Sequence, residues 1–302
     1  MKIDLGSIRK YENLELLAKE LVEGFITGLH RSPYHGFSVE FAEHKLYNFG
    51  ESTKNIDWKV FAKTDRLYTK QYEEETNLRC TILMDTSPSM YYPAPDNDKI
   101  RFSIYSAAAL SFLMIKQRDA VGLISFADGI NYQSPQKSTK IHFNNILEQM
   151  NDWLQQVPGK HSKSRVAESI HQIADSIHKR SLVIIFTDMF QQNENLNEVF
   201  EALMHLKHNK HEVLLFHVND HASERNFEFS NKPHRFEDLE SGETILLTPS
   251  EIKVDFQKRM DTFYQDIKLG CGKLKIDFIE ADINQPFDKI LGAYLIKRKK
   301  MM

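Results

Sequence analysis

An apolar run that ends in an acid constrains this chain more than any other feature. Thr81-Ile82-Leu83-Met84 leads straight into Asp85-Thr86-Ser87-Pro88-Ser89-Met90. The apolar residues read as a short buried strand, and 85–89 as the loop leaving its C-terminal end. A second run, Leu182-Val183-Ile184-Ile185-Phe186-Thr187, ends in Asp188. Continuous β-branched runs of this kind belong to strands buried on both faces of a parallel sheet. Ligands of such sheets sit beyond the carboxyl ends of the strands, where the strand order reverses. The two acids are therefore expected to share one crevice.

The pattern Asp85-x-Ser87-x-Ser89 offers one carboxylate and two hydroxyl oxygens from a single loop. Hard divalent cations take oxygen ligands, and Mg²⁺ keeps an octahedral shell with several waters. The expectation is one metal site served by Asp85, Ser87, Ser89 and Asp188, with Mg²⁺, Mn²⁺ or Ca²⁺ as the ion. The competing explanation is a turn with a helix cap, since Asp and Ser favour those positions anyway. Tyr91 and Tyr92 follow the loop. They are placed either at the rim of a partner-docking surface or as a cover over the sheet.

Around these loops the chain alternates strand and helix. Ile100, Ile104, Ala107, Ala108, Ser111 and Ile115 predict a helix with a small-residue face, and Val121 to Phe126 a strand. Asp128-Gly129 predicts a turn into an antiparallel edge strand. Helices follow at 141–154 and from Val166 to Ile177, then at 196–207 after the Asp188 strand. Val213 to Val218 is the next strand. Residues 222–249 break the alternation as a surface hairpin around Ser241-Gly242. A helix then starts near Ser250, read as its N-cap, and Leu274 to Ile279 is the last strand before a final helix at 287–296. The fold class is α/β, a doubly wound and mostly parallel sheet with helices on both faces.

Ahead of this lie an amphipathic helix at 13–28 and a β-rich stretch at 30–76. Its strands are read from Phe37-Val39-Phe41, from Ile56-Trp58-Val60 and from Leu67 to Tyr72. The division is 1–78 for the helix and β-rich module, and 79–302 for the α/β domain with an insertion at 222–249.

Composition narrows the function. A formal charge of −3 over 302 residues argues against a broad nucleic-acid surface. Two distant cysteines make no disulfide framework and fit a reducing compartment. Met1-Lys2-Ile3-Asp4-Leu5 carries no signal-peptide core, and no run is long and apolar enough to span a bilayer. The expectation is a soluble, cytoplasmic protein. His205, His208 and His211, near Lys207 and Lys210, read as solvated surface and not as a zinc site. An Mg²⁺-dependent phosphohydrolase with Asp85 as nucleophile is the rival function. Against it, Ser87 stands where dehalogenase-like phosphatases carry a second Asp, and no Walker-type loop is present.

The loop at 85–89 with Asp188 resembles the metal-ion-dependent adhesion site of von Willebrand factor type A domains. His35 to Phe41, Tyr47-Asn48-Phe49-Gly50, Ile56 to Lys59, Ala62-Lys63-Thr64 and Tyr72-x-Glu74-Glu75 together resemble the bacterial family called domain of unknown function 58. This similarity runs from about 28 to 300. It implies a von Willebrand factor A-like, Rossmann-type domain and a further ligand hydroxyl, which here falls on Ser164. It also implies an adaptor or chaperone-like role beside a MoxR-type AAA+ ATPase, without catalysis. A dication held this way stays electrophilic, so a partner's Asp or Glu could complete its shell.

Overall fold

The computed structural model describes residues 13–30, 44–46, 58–70, 78–96, 98–155, 165–189, 196–239 and 241–301. Two units form: Met1–Gly28 with Leu78–Met302, and Leu29–Asn77.

In the first unit, α1 (Leu14–His30) is capped by Asn13, whose side-chain oxygen accepts the amides of Glu15 at 2.9 Å and Leu16 at 3.1 Å. Leu14, Leu17, Ala18, Leu21 and Val22 fall on one face by their spacing, and all are buried in this unit's core. The helix thus belongs with the α/β unit, where the sequence reading had grouped it with the β-rich module.

In the second unit, β1 (His44–Leu46) pairs antiparallel with β2 (Tyr68–Lys70). Between them lies a helix, α2 (Trp58–Thr64), where the alternation of Ile56, Trp58 and Val60 had predicted a strand. Three alternating residues are too few to fix a period. Trp58, Phe61 and Ala62 carry an equally good i, i+3, i+4 spacing, and Thr64 returns its hydroxyl to the Val60 carbonyl at 2.9 Å. The strand expected at 37–41 lies outside the described residues.

The α/β unit continues with β3 (Arg79–Asp85), α3 (Asp98–Lys116), β4 (Ala120–Phe126), β5 (Ile130–Gln133), α4 (Lys140–Gln155), α5 (Val166–Ser176), β6 (Leu182–Thr187), α6 (Leu196–His208) and β7 (Glu212–Asn219). A single π turn, His221–Arg225, leads to the hairpin β8 (His234–Glu237) and β9 (Thr244–Leu247). The chain closes with α7 (Pro249–Lys273), β10 (Asp277–Asp282) and α8 (Asp288–Met301).

Six strands make one sheet in the order β10-β7-β6-β3-β4-β5. All neighbours run parallel except β5, the antiparallel edge after the Asp128-Gly129 turn. Successive side chains of a strand point to opposite faces, and the core divides accordingly. Cys80, Ile82, Met84, Ile184 and Phe186 pack with α1, α3, α4 and α8. Leu83, Val183, Ile185 and Ile124 pack with α5, α6 and α7. The chain moves outward from β3 to β4 and β5, then returns to place β6 on the other side of β3. The strand order therefore reverses between β3 and β6, which carry the two acid-ended runs.

Boundaries shift from the sequence reading, and the final helix, expected at 287–296, runs from Asp288 to Met301. The α7 N-cap is Thr248, with Pro249 in the first turn, so Ser250 is already helical. The last strand begins at Asp277, three residues later than expected. The run from Leu274 to Ile276 serves to end α7, with Lys275 in the left-handed region at φ 55°.

Candidate functional site

Asp85 closes β3 with a side chain that is 0% exposed, and both carboxyl oxygens are engaged. The Ser87 amide donates to Oδ1 at 2.9 Å, and the Thr187 hydroxyl donates to Oδ2 at 2.6 Å. Thr187 ends β6, so this bond ties the two switch-point strands together at their carboxyl ends. Burial, and then the negative charge of Asp188, push the Asp85 carboxyl up to about 7, although the bonds from Thr187 and Ser87 pull it down.

The loop after Asp85 is fastened to its neighbour, with Thr86 donating its amide and its hydroxyl to the Phe126 carbonyl at the end of β4. Pro88–Tyr91 then form a 3₁₀ turn. Ser87 holds the N-cap position, yet its side chain makes no capping bond. Its Oγ lies 3.0 Å from Ser89 Oγ instead. The Ser87 hydroxyl thus does not cap the turn; it bonds the Asp85 carboxyl and lies beside Ser89.

Asp188 follows β6 and is equally buried. The next residue, Met189, has a φ of 50°, a left-handed conformation uncommon for a non-glycine residue, and its amide donates to the Thr187 hydroxyl. The Asp188 carboxylate accepts the Lys99 ammonium at 2.8 Å, and the same ammonium reaches Glu224 Oε1 at 2.5 Å. Lys99 lies in the first turn of α3 and is 0% exposed. Burial works against its charge, but the carboxylates of Asp188 and Glu224 outweigh burial and hold the amine protonated. Glu224 belongs to the π turn after β7, and burial raises its own carboxyl against the pull of Lys99.

His217 of β7 supports the same corner. Its Nδ1 takes the Asn219 side-chain amide at 3.2 Å, which leaves Nε2–H to donate to the Asp188 backbone carbonyl at 2.6 Å. Burial lowers its imidazole to about 4, so the ring is neutral at physiological pH.

Four of the five expected ligand residues thus lie in one place: Asp85, Ser87 and Ser89 on the β3 loop, with Asp188 after β6. Ser164, the fifth, lies outside the described residues. Its neighbour Arg165 donates its amide to Ala127, just past β4. Of the two tyrosines, Tyr91 is 5% exposed and packs within the core, so it covers the sheet and is not part of a rim. Tyr92 is half-buried, with the Lys99 ammonium 5.6 Å from its ring centre. The histidine triplet also departs from expectation. His211 is fully buried, and its Nδ1 accepts the Ser181 amide at 3.2 Å.

Sequence reasoning missed Lys99, Glu224, His217 and the bond made by Thr187. A signal for Lys99 was present: it lies in helical register with Ser103, Ser106 and Leu110 on the buried face of α3. A lysine in such a register demands a buried partner. Glu224 gave none, because its partner Lys99 comes from a helix 125 residues earlier in the chain.

The chemistry of the cluster can be set against a metal's needs. Among the described residues, no group of three His, Cys, Asp or Glu side chains is placed to hold an ion. Any ion here has to use hydroxyls. The Ser87–Ser89 separation of 3.0 Å matches the roughly 3.0 Å edge of an octahedron with bonds of about 2.1 Å. Asp188 and Glu224 share the Lys99 ammonium, and Asp85 lies near enough to Asp188 for their negative charges to repel. A dication would relieve that repulsion. The donor set fits a hard cation on Ser87 and Ser89, with Asp85 and Asp188 supplying charge. Among the described residues, no helix is long and apolar enough to cross a membrane.

Comparison with known proteins places the chain. "Uncharacterized protein Rv1480" of Mycobacterium tuberculosis is 24% identical over 207 residues, which cover 68% of this chain and 63% of that protein. The chain thus spans under two thirds of the length of the curated relatives it matches. The crystal structure of the conserved hypothetical protein BatB from Bacteroides thetaiotaomicron aligns with a TM-score of 0.45 at 13% identity, covering 74% of this chain and all of that one. A von Willebrand factor type A protein from Catenulispora acidiphila gives 0.36 at 13% identity, covering 47% of this chain and 33% of that one. Those scores are low, and the architecture rests on the sheet order itself. The family model described as "Protein of unknown function DUF58" matches residues 43–263, most of the chain, and the protein belongs to that family.

Proposed function

We propose that this protein is a non-catalytic interaction module whose switch-point loops hold a divalent cation, with Mg²⁺ favoured over Mn²⁺ or Ca²⁺. The observation that carries the reading is the Ser87–Ser89 hydroxyl pair, 3.0 Å apart and unused for capping, beside the buried acids Asp85 and Asp188. Neutral hydroxyl ligands leave an ion's charge unsatisfied. Such an ion attracts an acidic side chain from another protein, and the half-buried Tyr92 beside it offers an aromatic contact. The partner class, a MoxR-type AAA+ ATPase, comes from the family resemblance, as does Ser164 as a further hydroxyl ligand.

The phosphohydrolase reading finds less support. A nucleophilic carboxylate must reach phosphorus, whereas both Asp85 oxygens are occupied by hydrogen bonds and the residue is buried. The test is affinity capture of the full chain from its native cell in Mg²⁺. An AAA+ ATPase is expected in the eluate, and it is lost with EDTA and with Ser87→Ala. Turnover of phosphate esters that vanishes in Asp85→Ala would reverse the assignment.

A further inference from the structure

The metal reading leaves one group unexplained. A lysine is almost never fully buried without partners, and among the described residues Lys99 meets two acids drawn from separate crossings of the sheet, Asp188 after β6 and Glu224 after β7. Glu224 is itself held in place. Its Oε2 accepts the Asp220 amide at 2.7 Å, and Asp220 in turn accepts the Ser223 hydroxyl at 2.6 Å. The ammonium is therefore suspended between one acid of the candidate metal site and one acid fixed outside it.

We propose that Lys99 is a built-in counter-ion that competes with the metal for Asp188, and that Glu224 sets the strength of this competition by drawing the ammonium away. This rests on the reading that the site takes a divalent cation. A dication approaching Asp188 meets a fixed positive charge already seated on that carboxylate. Moving the ammonium toward Glu224 returns the negative potential of Asp188 to the ion. The coupling is reciprocal, so a bound ion also pushes Lys99 onto the π turn. That turn reaches Tyr92 through Ser223 and β10 through the Arg225–Glu280 pair.

The experiment is Mn²⁺ titration of the full chain, followed by calorimetry and by the electron paramagnetic resonance of the free ion. It compares wild type with Glu224→Gln and with the double variant Lys99→Met/Glu224→Gln. The double variant removes one charge of each sign, so it leaves the local net charge unchanged and avoids two unpaired buried acids. Glu224→Gln removes the acid that draws the ammonium away from Asp188 and is expected to weaken binding. The double variant is expected to bind about threefold more tightly than wild type, since the lost ammonium sits on Asp188 at 2.8 Å and the loss of the Glu224 charge cancels only part of that gain. If Glu224→Gln binds as well as wild type, or the double variant binds no more tightly, the proposal is overturned. Two outcomes separate it from the reading it rests on. Binding by the double variant alone upholds the competition and contradicts a metal-loaded wild type. Equal binding by both upholds the metal site and overturns the competition. No binding by either overturns both.

Discussion

Lys99→Met alone is expected to lower the free energy of unfolding by about 3–5 kcal/mol, the usual cost of removing one partner from a buried ion pair. The cause is what remains and not the contact that is lost. Asp188 and Glu224 would then be two buried acids drawn close without a cation between them. A charge left in a medium of low dielectric cannot recover its hydration. Urea unfolding at pH 7.5 measures the loss. Adding Glu224→Gln to Lys99→Met is expected to restore part of the stability, because one of the two stranded charges is gone. By contrast, the Arg165–Glu168 pair at the start of α5 is largely exposed, and its removal is expected to cost at most about 1 kcal/mol. Equal costs for the two pairs would mean that the Lys99 cluster is hydrated and not the closed arrangement described.

The second large effect is a dependence on acid. The His217 imidazole is lowered to about 4 by burial, against an ordinary value of 6.5. Between these values the unfolded chain binds the proton that the folded chain refuses, so stability rises with pH across that window. The contribution is fully present above about pH 6.5 and is lost as pH falls towards 4, on the order of 3 kcal/mol in all. Asp85 acts with the opposite sign. Its folded value of about 7 lies above the ordinary 3.8, so its penalty is absent at low pH, grows as pH rises from about 4 towards 7 and is fully present above that. The two effects overlap, and a wild-type profile alone would conceal both. His217→Gln keeps a donor for the Asp188 carbonyl and removes the titration. Its stability, measured by urea unfolding at half-unit steps from pH 4 to 7, is expected to fall less steeply toward acid than that of wild type. Parallel profiles would show that the imidazole is not held neutral.

Much of this architecture was legible because burial on both faces of a parallel sheet writes long apolar runs, and acids placed at their ends stand out. Asp85 and Asp188 were readable as a pair for that reason. So was the β8–β9 hairpin, whose turn chemistry is local. The remainder depended on contacts between distant segments. The stretch at 222–249 reads as a surface excursion, yet its first residues form the π turn that supplies Glu224 to a buried lysine. His211 lies among lysines in sequence but enters the core at the head of β7. Tyr91 adjoins the site loop in sequence, but the 3₁₀ turn directs it inward. In α2 the local pattern was ambiguous between two periods, and helix is the one that forms. Composition and periodicity specify which residues must be buried. They do not specify which partner a buried charge will meet.

The account stands or falls on whether the rim of the sheet holds a cation through its hydroxyls. The direct measurement is Mn²⁺ titration of the full chain beside the Ser87→Ala/Ser89→Ala variant, with circular dichroism confirming that both are folded. The account predicts one saturable equivalent in wild type, displaced by Mg²⁺ and absent from the variant. Binding that survives the loss of both hydroxyls, or a wild-type chain that takes up no ion, would contradict it.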